Sequence, residues 1–287
     1  MSKSAMARAR HRHRSGHSTR DEHVLDLGKF GFHSIGMGLR LQLHLPPDYD
    51  SEEEPYPLLY MLDGQNVFDS ATSFLGQAWD ADGIHDALVA RGFIPPIAIA
   101  AVGSGAERDF LYTPTVDEEE GGGRLDLLEK LLLEEIDPWL RQRFRLLDDP
   151  GNTGILGSSL GGLAALHLAW RNPDRFGLVG AMSPSLWWDR NVTQSIVEAD
   201  GGPDTPLRIW LDIGTEEDDD DEECDEWLED FDLIEAVRTL ARTLEVQGHT
   251  VELYVDEGAE HTESAWRQRL PAALVHLFSR GDPGEDE

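Results

Sequence analysis

Thr153-Gly154-Ile155-Leu156-Gly157-Ser158-Ser159-Leu160-Gly161-Gly162-Leu163-Ala164-Ala165-Leu166 is the stretch that decides the fold. Thr153 to Leu156 reads as a short apolar strand, and Gly162 to Trp170 as a strongly apolar helix. Between them lies Gly157-Ser158-Ser159-Leu160-Gly161, a G-x-S-x-G pentapeptide. A serine on so sharp a strand-to-helix turn sits in strained backbone, and its neighbours must lack side chains for strand and helix to approach. The pattern alone also fits an ordinary Gly/Ser loop. The strand before it and the helix after it give it the setting of a nucleophile elbow.

Outward from this stretch, short β-rich segments alternate with helical ones. Leu39 to Leu45 alternates apolar and polar residues, as a half-buried strand does. Leu58 to Leu62 and Pro96 to Val102 are continuous apolar runs suited to central strands. Phe176 to Met182, Arg208 to Asp212 and Thr250 to Val255 read as further strands. Helices are expected at Ile84 to Arg91, at Leu125 to Phe144 with a kink or split at Pro138, and around Leu233 to Leu244. A last helix starts from an N-cap at Thr262 and is interrupted by Pro271. Strands alternating with helices predict an α/β fold, a mostly parallel central sheet with helices on both faces. Residues 1–22 read as a disordered basic tail, 23–280 as one domain and 281–287 as an acidic tail.

The 287 residues include 56 acidic and 24 basic side chains, for a net charge of −32. Only Lys3, Lys29 and Lys130 are lysines. Such a surface repels nucleic acid and anionic membranes, which argues against both as partners. Acidity with so little lysine points to adaptation to high salt, where screening removes the self-repulsion. No apolar stretch is long enough for a membrane span, and the first twenty residues lack the apolar segment of a secretory signal. Cys224 is the sole cysteine, so no disulfide can form within the chain. A cytoplasmic location fits these features; oligomeric state is not legible.

Serine hydroxyls need a base to take their proton and usually a carboxylate to orient that base. On a nucleophile elbow the chain order is serine, acid, histidine. Of the late histidines, His249 precedes a strand and His276 lies within a helix. His261 alone follows a strand, on the edge where parallel sheets place their sites. The acid should follow Arg208 to Asp212, where Glu216, Glu217 and Asp218 crowd; Glu217 is favoured, three residues past Gly214. The acidic run Asp218 to Glu226 lacks the spacing of a calcium loop and reads as a solvated insertion, so no metal site is assigned. The oxyanion needs two backbone N–H donors. Leu160, directly after Ser159, supplies one, and Gln65 in Asp63-Gly64-Gln65-Asn66 supplies the other.

Five segments in order are similar to a known family. Tyr60 to Asp69, the stretch Arg108, Tyr112, Pro114, the elbow Gly157 to Gly162, Ser183 to Trp188, and Glu260 to Trp266 resemble the esterase D / enterochelin esterase-like family of α/β-hydrolases. The resemblance covers roughly residues 35 to 278 and implies an α/β-hydrolase fold, with ester hydrolysis through an acyl-enzyme and no cofactor. It implies Ser159 as nucleophile, His261 as base and Glu217 as acid; the long acidic insertion after Glu217 is a departure that leaves a Ser159–His261 dyad as the alternative. Leu111 departs from the family, where an acidic residue commonly precedes the tyrosine. Arg108, Trp187 and Trp188 either line the substrate cleft or serve as a paired surface charge and core filling. The substrate is a small-molecule ester: siderophore lactones, acetylated sugars, feruloyl esters and small acyl esters all stay open. Acyl transfer to another acceptor and a silent binding protein on the same scaffold are the rival readings.

Overall fold

The computed structural model describes residues 23–31, 38–217 and 231–279. The tails at 1–22 and 281–287, Asp218, the run Asp218 to Glu226 and Cys224 lie outside the described residues.

Eight strands form one sheet: β1 (Val24–Phe30), β2 (Leu39–His44), β3 (Leu58–Leu62), β4 (Ala98–Val102), β7 (Thr153–Ser158), β8 (Leu178–Met182), β9 (Arg208–Glu216) and β10 (Thr250–Glu260). A separate hairpin pairs β5 (Val116–Asp117) with β6 (Gly121–Gly122). The sheet order is β1-β2-β4-β3-β7-β8-β9-β10. From β4 to β10 all pairs are parallel, and β1 and β2 add an antiparallel edge.

The eight described helices are α1 (Ala81–Ala90), α2 (Arg108–Tyr112), α3 (Leu125–Lys130), α4 (Asp137–Arg143), α5 (Leu160–Arg171), α6 (Val192–Asp200), α7 (Leu233–Val246) and α8 (Glu263–Phe278). Strand alternation divides the core. Leu58, Tyr60 and Leu62 pack with the helical residues Leu132, Leu140, Leu163, Leu168 and Leu240 on one face. Leu59 and Met61 pack with Trp79, Leu270, Leu274 and Leu277 on the other. Each such apolar side chain contributes about 1.5–3 kcal/mol by burial. A one-residue slip of β3 would exchange the two sets, so register is strongly specified.

Two proline expectations resolve differently. The predicted long helix is distorted at its proline but not broken: α3 widens into a π-type turn at Leu131–Ile136, which leads without a gap into α4 and Pro138. Pro271, expected to interrupt the last helix, does not; α8 is continuous from Glu263 to Phe278. Buried Leu270, Ala273, Leu274 and Leu277 hold it against the sheet, and that packing outweighs the ~3 kcal/mol cost of an internal proline. β10 runs past Val255 to Glu260, with a register shift against β9 between Asp256 and Glu260.

Candidate active site

Five neighbouring strands, β3, β7, β8, β9 and β10, each deliver one element of the site at their carboxyl ends. The elbow after β7 is held by close approach. A Cβ on Gly157 would stand 2.4 Å from the Gly161 carbonyl oxygen, and one on Gly162 would stand 3.1 Å from that of Met182. Ser159 itself sits at φ 56°, ψ −127°. That region costs a non-glycine residue about 1–3 kcal/mol and persists only when its surroundings over-determine it. Here they do. Ser159 N–H donates to Met182 O at 3.0 Å, and its carbonyl accepts from Leu163 N–H and Ser185 N–H at 3.0 and 3.2 Å. Its Oγ hydrogen-bonds Ser185 Oγ at 3.2 Å rather than His261.

Glu217 follows β9 and His261 follows β10. His261 Nδ1 lies 3.0 Å from Glu217 Oε2. A carboxylate there fixes the proton on Nδ1 and leaves the Nε2 lone pair to act as base. The other oxygen, Oε1, accepts from Ser183 Oγ at 2.6 Å, Gly214 N–H at 2.7 Å and Arg269 Nη2 at 3.2 Å. Burial works against the Glu217 charge, but the hydrogen bonds from His261 and Ser183 outweigh it and hold the carboxyl below the usual glutamate range. The Trp266 ring stands edge-on to His261, with centroids 4.9 Å apart.

Behind this pair lies a buried network that the sequence reading did not foresee. Arg269 Nη1 pairs with Asp212 Oδ1 at 2.9 Å while Nη2 reaches Glu217. Ser183, at φ 42°, donates its N–H to Asp212 and accepts at Oγ from Trp266 Nε1 and Arg269 Nη2. Asp212 also accepts the indole N–H of Trp210 at 2.6 Å. Burial pushes the Asp212 carboxyl up to about 7 against the pull of Arg269. A signal existed: Arg269 stands three residues after Trp266 and one before Leu270, inside the buried stripe of α8. An arginine there requires buried counter-charges.

The turn after β3 is equally constrained. Asp63 adopts φ 53°. A Cβ on Gly64 would stand 2.7 Å from the backbone carbonyl carbons of Ala101 and Val102. Gly64 N–H donates to Val102 O and Asn66 N–H to Asp63 O, both at 2.8 Å. The Gln65 side chain is tied to Asp63 and Ser104, so its backbone N–H is the group it can offer a ligand. Leu160 opens α5, and the first N–H groups of a helix have no partner within it.

Arg108 grips Asp63 with two nitrogens, Nε at 2.9 Å and Nη2 at 2.8 Å. Asp63 N–H in turn donates to the buried Tyr112 hydroxyl at 2.9 Å. Arg108 therefore braces the turn, and Leu111, buried beside Tyr112, is not its partner. Trp188 is buried with its indole N–H on Thr115 O, so its ring fills the core; Trp187 stays half-buried.

One cluster has the residue types of a metal centre: His44, His85 and Asp86. It lies on the opposite edge of the sheet, since His44 pairs with Ile99 near the start of β4. Ile97 N–H donates to His85 Nε2 at 3.0 Å. That bond puts the proton of neutral His85 on Nδ1, 2.8 Å from Asp86 Oδ1. The Nδ1 lone pair a metal would need is occupied, so the three side chains fit a hydrogen-bonded cluster and not a metal centre. Among the described residues no helix is long and apolar enough to cross a membrane.

Comparison with known proteins agrees with this architecture. The family model described as "Putative esterase" matches residues 33–277. The chain is 24% identical over 263 residues to the uncharacterized protein YbbA of Bacillus subtilis, covering 88% of this chain and 97% of that one. It is 26% identical over 245 residues to the iron(III) enterobactin esterase of Dickeya dadantii, covering 79% of this chain and 49% of that longer protein. Among solved structures, the BES protein from Bacillus cereus superposes with a TM-score of 0.70 at 21% identity, over 93% of this chain and 99% of that one.

Proposed function

The chain belongs to the esterase family whose model spans it, and from that membership we propose that it hydrolyses carboxylic esters through an acyl-enzyme on Ser159. His261 Nε2 takes the Ser159 proton as Oγ attacks the ester carbonyl. The N–H groups of Leu160 and Gln65 receive the developing oxyanion, where a single such donor is worth about 10²–10³ in rate. The tetrahedral adduct collapses, His261 returns its proton to the leaving alcohol, and water repeats the sequence to free Ser159. Glu217 keeps the imidazole in the required tautomer and stabilises its charged form. For attack, Ser159 Oγ must turn from Ser185 toward His261; such bonds commonly tighten only once substrate is bound.

The observation that carries this reading is the 3.0 Å contact of His261 with Glu217 on the same sheet edge as the strained elbow. The substrate is a small-molecule ester, and the half-buried Trp187 is the aromatic surface offered to it. One domain carries the site, and its acidic surface belongs to a protein that works best in salt.

The test is p-nitrophenyl acetate turnover at low and molar salt, with fluorophosphonate labelling. The wild type should turn over and be labelled, and Ser159→Ala should lose both. Unchanged turnover in Ser159→Ala would overturn the assignment. Activity and stability highest at low salt would overturn the salt reading.

A further inference from the structure

Glu263 has no part in the reaction just described, yet it is the first residue of α8 and stands two positions after His261. Its carboxylate leaves its own element. Oε1 accepts from Asn66 Nδ2 at 2.8 Å, and Oε2 accepts from Trp79 Nε1 at 2.6 Å. Asn66 directly follows Gln65, and 197 positions separate it from Glu263. The far side of Asn66 is also committed, because its Oδ1 accepts Phe74 N–H at 3.0 Å and its carbonyl accepts Trp79 N–H at 2.8 Å. Asn66 therefore cannot flip its amide to present oxygen to Glu263 without breaking the Phe74 bond. Trp79 packs against Trp266, and Trp266 stands edge-on to His261.

We propose that Glu263 is a positioning residue, a cross-tie that sets the oxyanion turn at Gln65 against the histidine loop at His261. This rests on the serine-esterase reading of the site. The physical case is one of matched polarity. Both partners of Glu263 are obligate donors as placed: an indole N–H has no acceptor form, and the Asn66 oxygen is taken. A carboxylate, with two accepting oxygens and no proton, satisfies both at once. The two bonds are charge-assisted and partly shielded from water, which makes them the strong kind. They join the turn carrying one oxyanion donor to the helix that begins beside the base. Misplacing such a group by about 1 Å costs about 10²-fold in rate.

Glu263→Gln is isosteric and puts an amide NH2 against one of the two donors. It should lower kcat about 30- to 100-fold with KM changed less than threefold, and slow fluorophosphonate labelling in proportion. Asn66→Asp sets two carboxylates against each other and should do the same. The double variant Asn66→Asp/Glu263→Gln exchanges donor and acceptor across the same gap while keeping acceptors for Phe74 N–H and Trp79 N–H. It should recover kcat to within about fivefold of wild type. Trp79→Phe removes one donor without introducing a clash, gives an intermediate loss, and serves if a single variant fails to fold.

A Glu263→Gln enzyme with kcat within twofold of wild type would overturn the cross-tie. So would a double variant no better than the singles. Ser159→Ala separates the two levels: if it is inactive while Glu263→Gln is not impaired, only the role of Glu263 falls. If Ser159→Ala keeps its turnover, the esterase reading falls and takes this inference with it.

Discussion

Glu217 meets His261 with one oxygen only. Oε2 faces the imidazole, while Oε1 is occupied by Ser183, Gly214 and Arg269. The two ends of this carboxylate are therefore not interchangeable. In Glu217→Gln the oxygen is retained by three donors, and the NH2 is left facing His261 Nδ1. Nδ1 must then accept, which moves the proton to Nε2 and removes the base. The expected loss is about 10³–10⁴-fold in kcat, with KM little changed and the fold intact. Steady-state kinetics with a chromogenic ester, alongside a urea titration, checks it.

Arg108 is predicted to act through Asp63. Removing the guanidinium in Arg108→Ala leaves a buried carboxylate uncompensated at the base of the oxyanion turn. Burial opposes the arginine's charge, but Asp63 outweighs it and keeps Arg108 firmly protonated. Loss of one partner from so shielded a pair costs about 3 kcal/mol. Arg108→Lys, which keeps charge but not the two-nitrogen grip, should recover part of that. Chemical denaturation of the three proteins gives the stabilities, and kcat should fall in the same order.

The strain at Ser159 predicts a gain of stability when function is removed. Ser159→Gly relieves the positive φ and should raise unfolding free energy by about 1 kcal/mol, while Ser159→Ala, which keeps a Cβ, should not. Both variants should be inactive on the proposed mechanism. Melting temperatures that do not separate the two would contradict the argument.

Asp212 gives the fold a pH dependence of definite sign. Its folded value of about 7 lies above its unfolded value near 3.9. The stabilisation is therefore fully present below about pH 4 and is lost as pH rises toward 7. Glu217 has the opposite sign, since its depressed value adds stability above the ordinary glutamate range that is lost in acid. The two windows meet only between about pH 4 and 4.5, so above pH 5 Asp212 acts alone. Between pH 5 and 8 the wild type should lose stability through Asp212, and Asp212→Asn should show a flatter profile. Urea midpoints at the two pH values measure it.

Much of this was readable from residue types alone. Period-two and continuous apolar runs located the parallel strands, with β3 at its observed limits, because burial on both faces leaves little room for polar residues. The esterase resemblance rested on segments the fold brings to one edge. Less legible was whatever depends on a partner far away in sequence. Arg108 is a cation next to a turn in the sequence; only the fold reveals that Asp63 already holds it. Trp188 and Trp187 are adjacent and alike in type, yet one is core and the other half-open. β1 escaped notice because its polar side chains suit an edge with few buried positions. Pro271 misled because local propensity was set against tertiary packing, and packing won.

The order β3, β7, β8, β9, β10 is the same along the sheet as along the chain. The elements of the proposed site thus follow one another along the chain, from oxyanion turn to nucleophile to acid to base. His261 arrives last, on the outermost strand, and the tie from Glu263 back to Asn66 closes after it. Turnover then works as a clock for the end of folding. If β10 and α8 dock last, ester hydrolysis during refolding should lag behind the burial of Trp188, which packs on neither, and coincide with that of Trp266, which α8 carries.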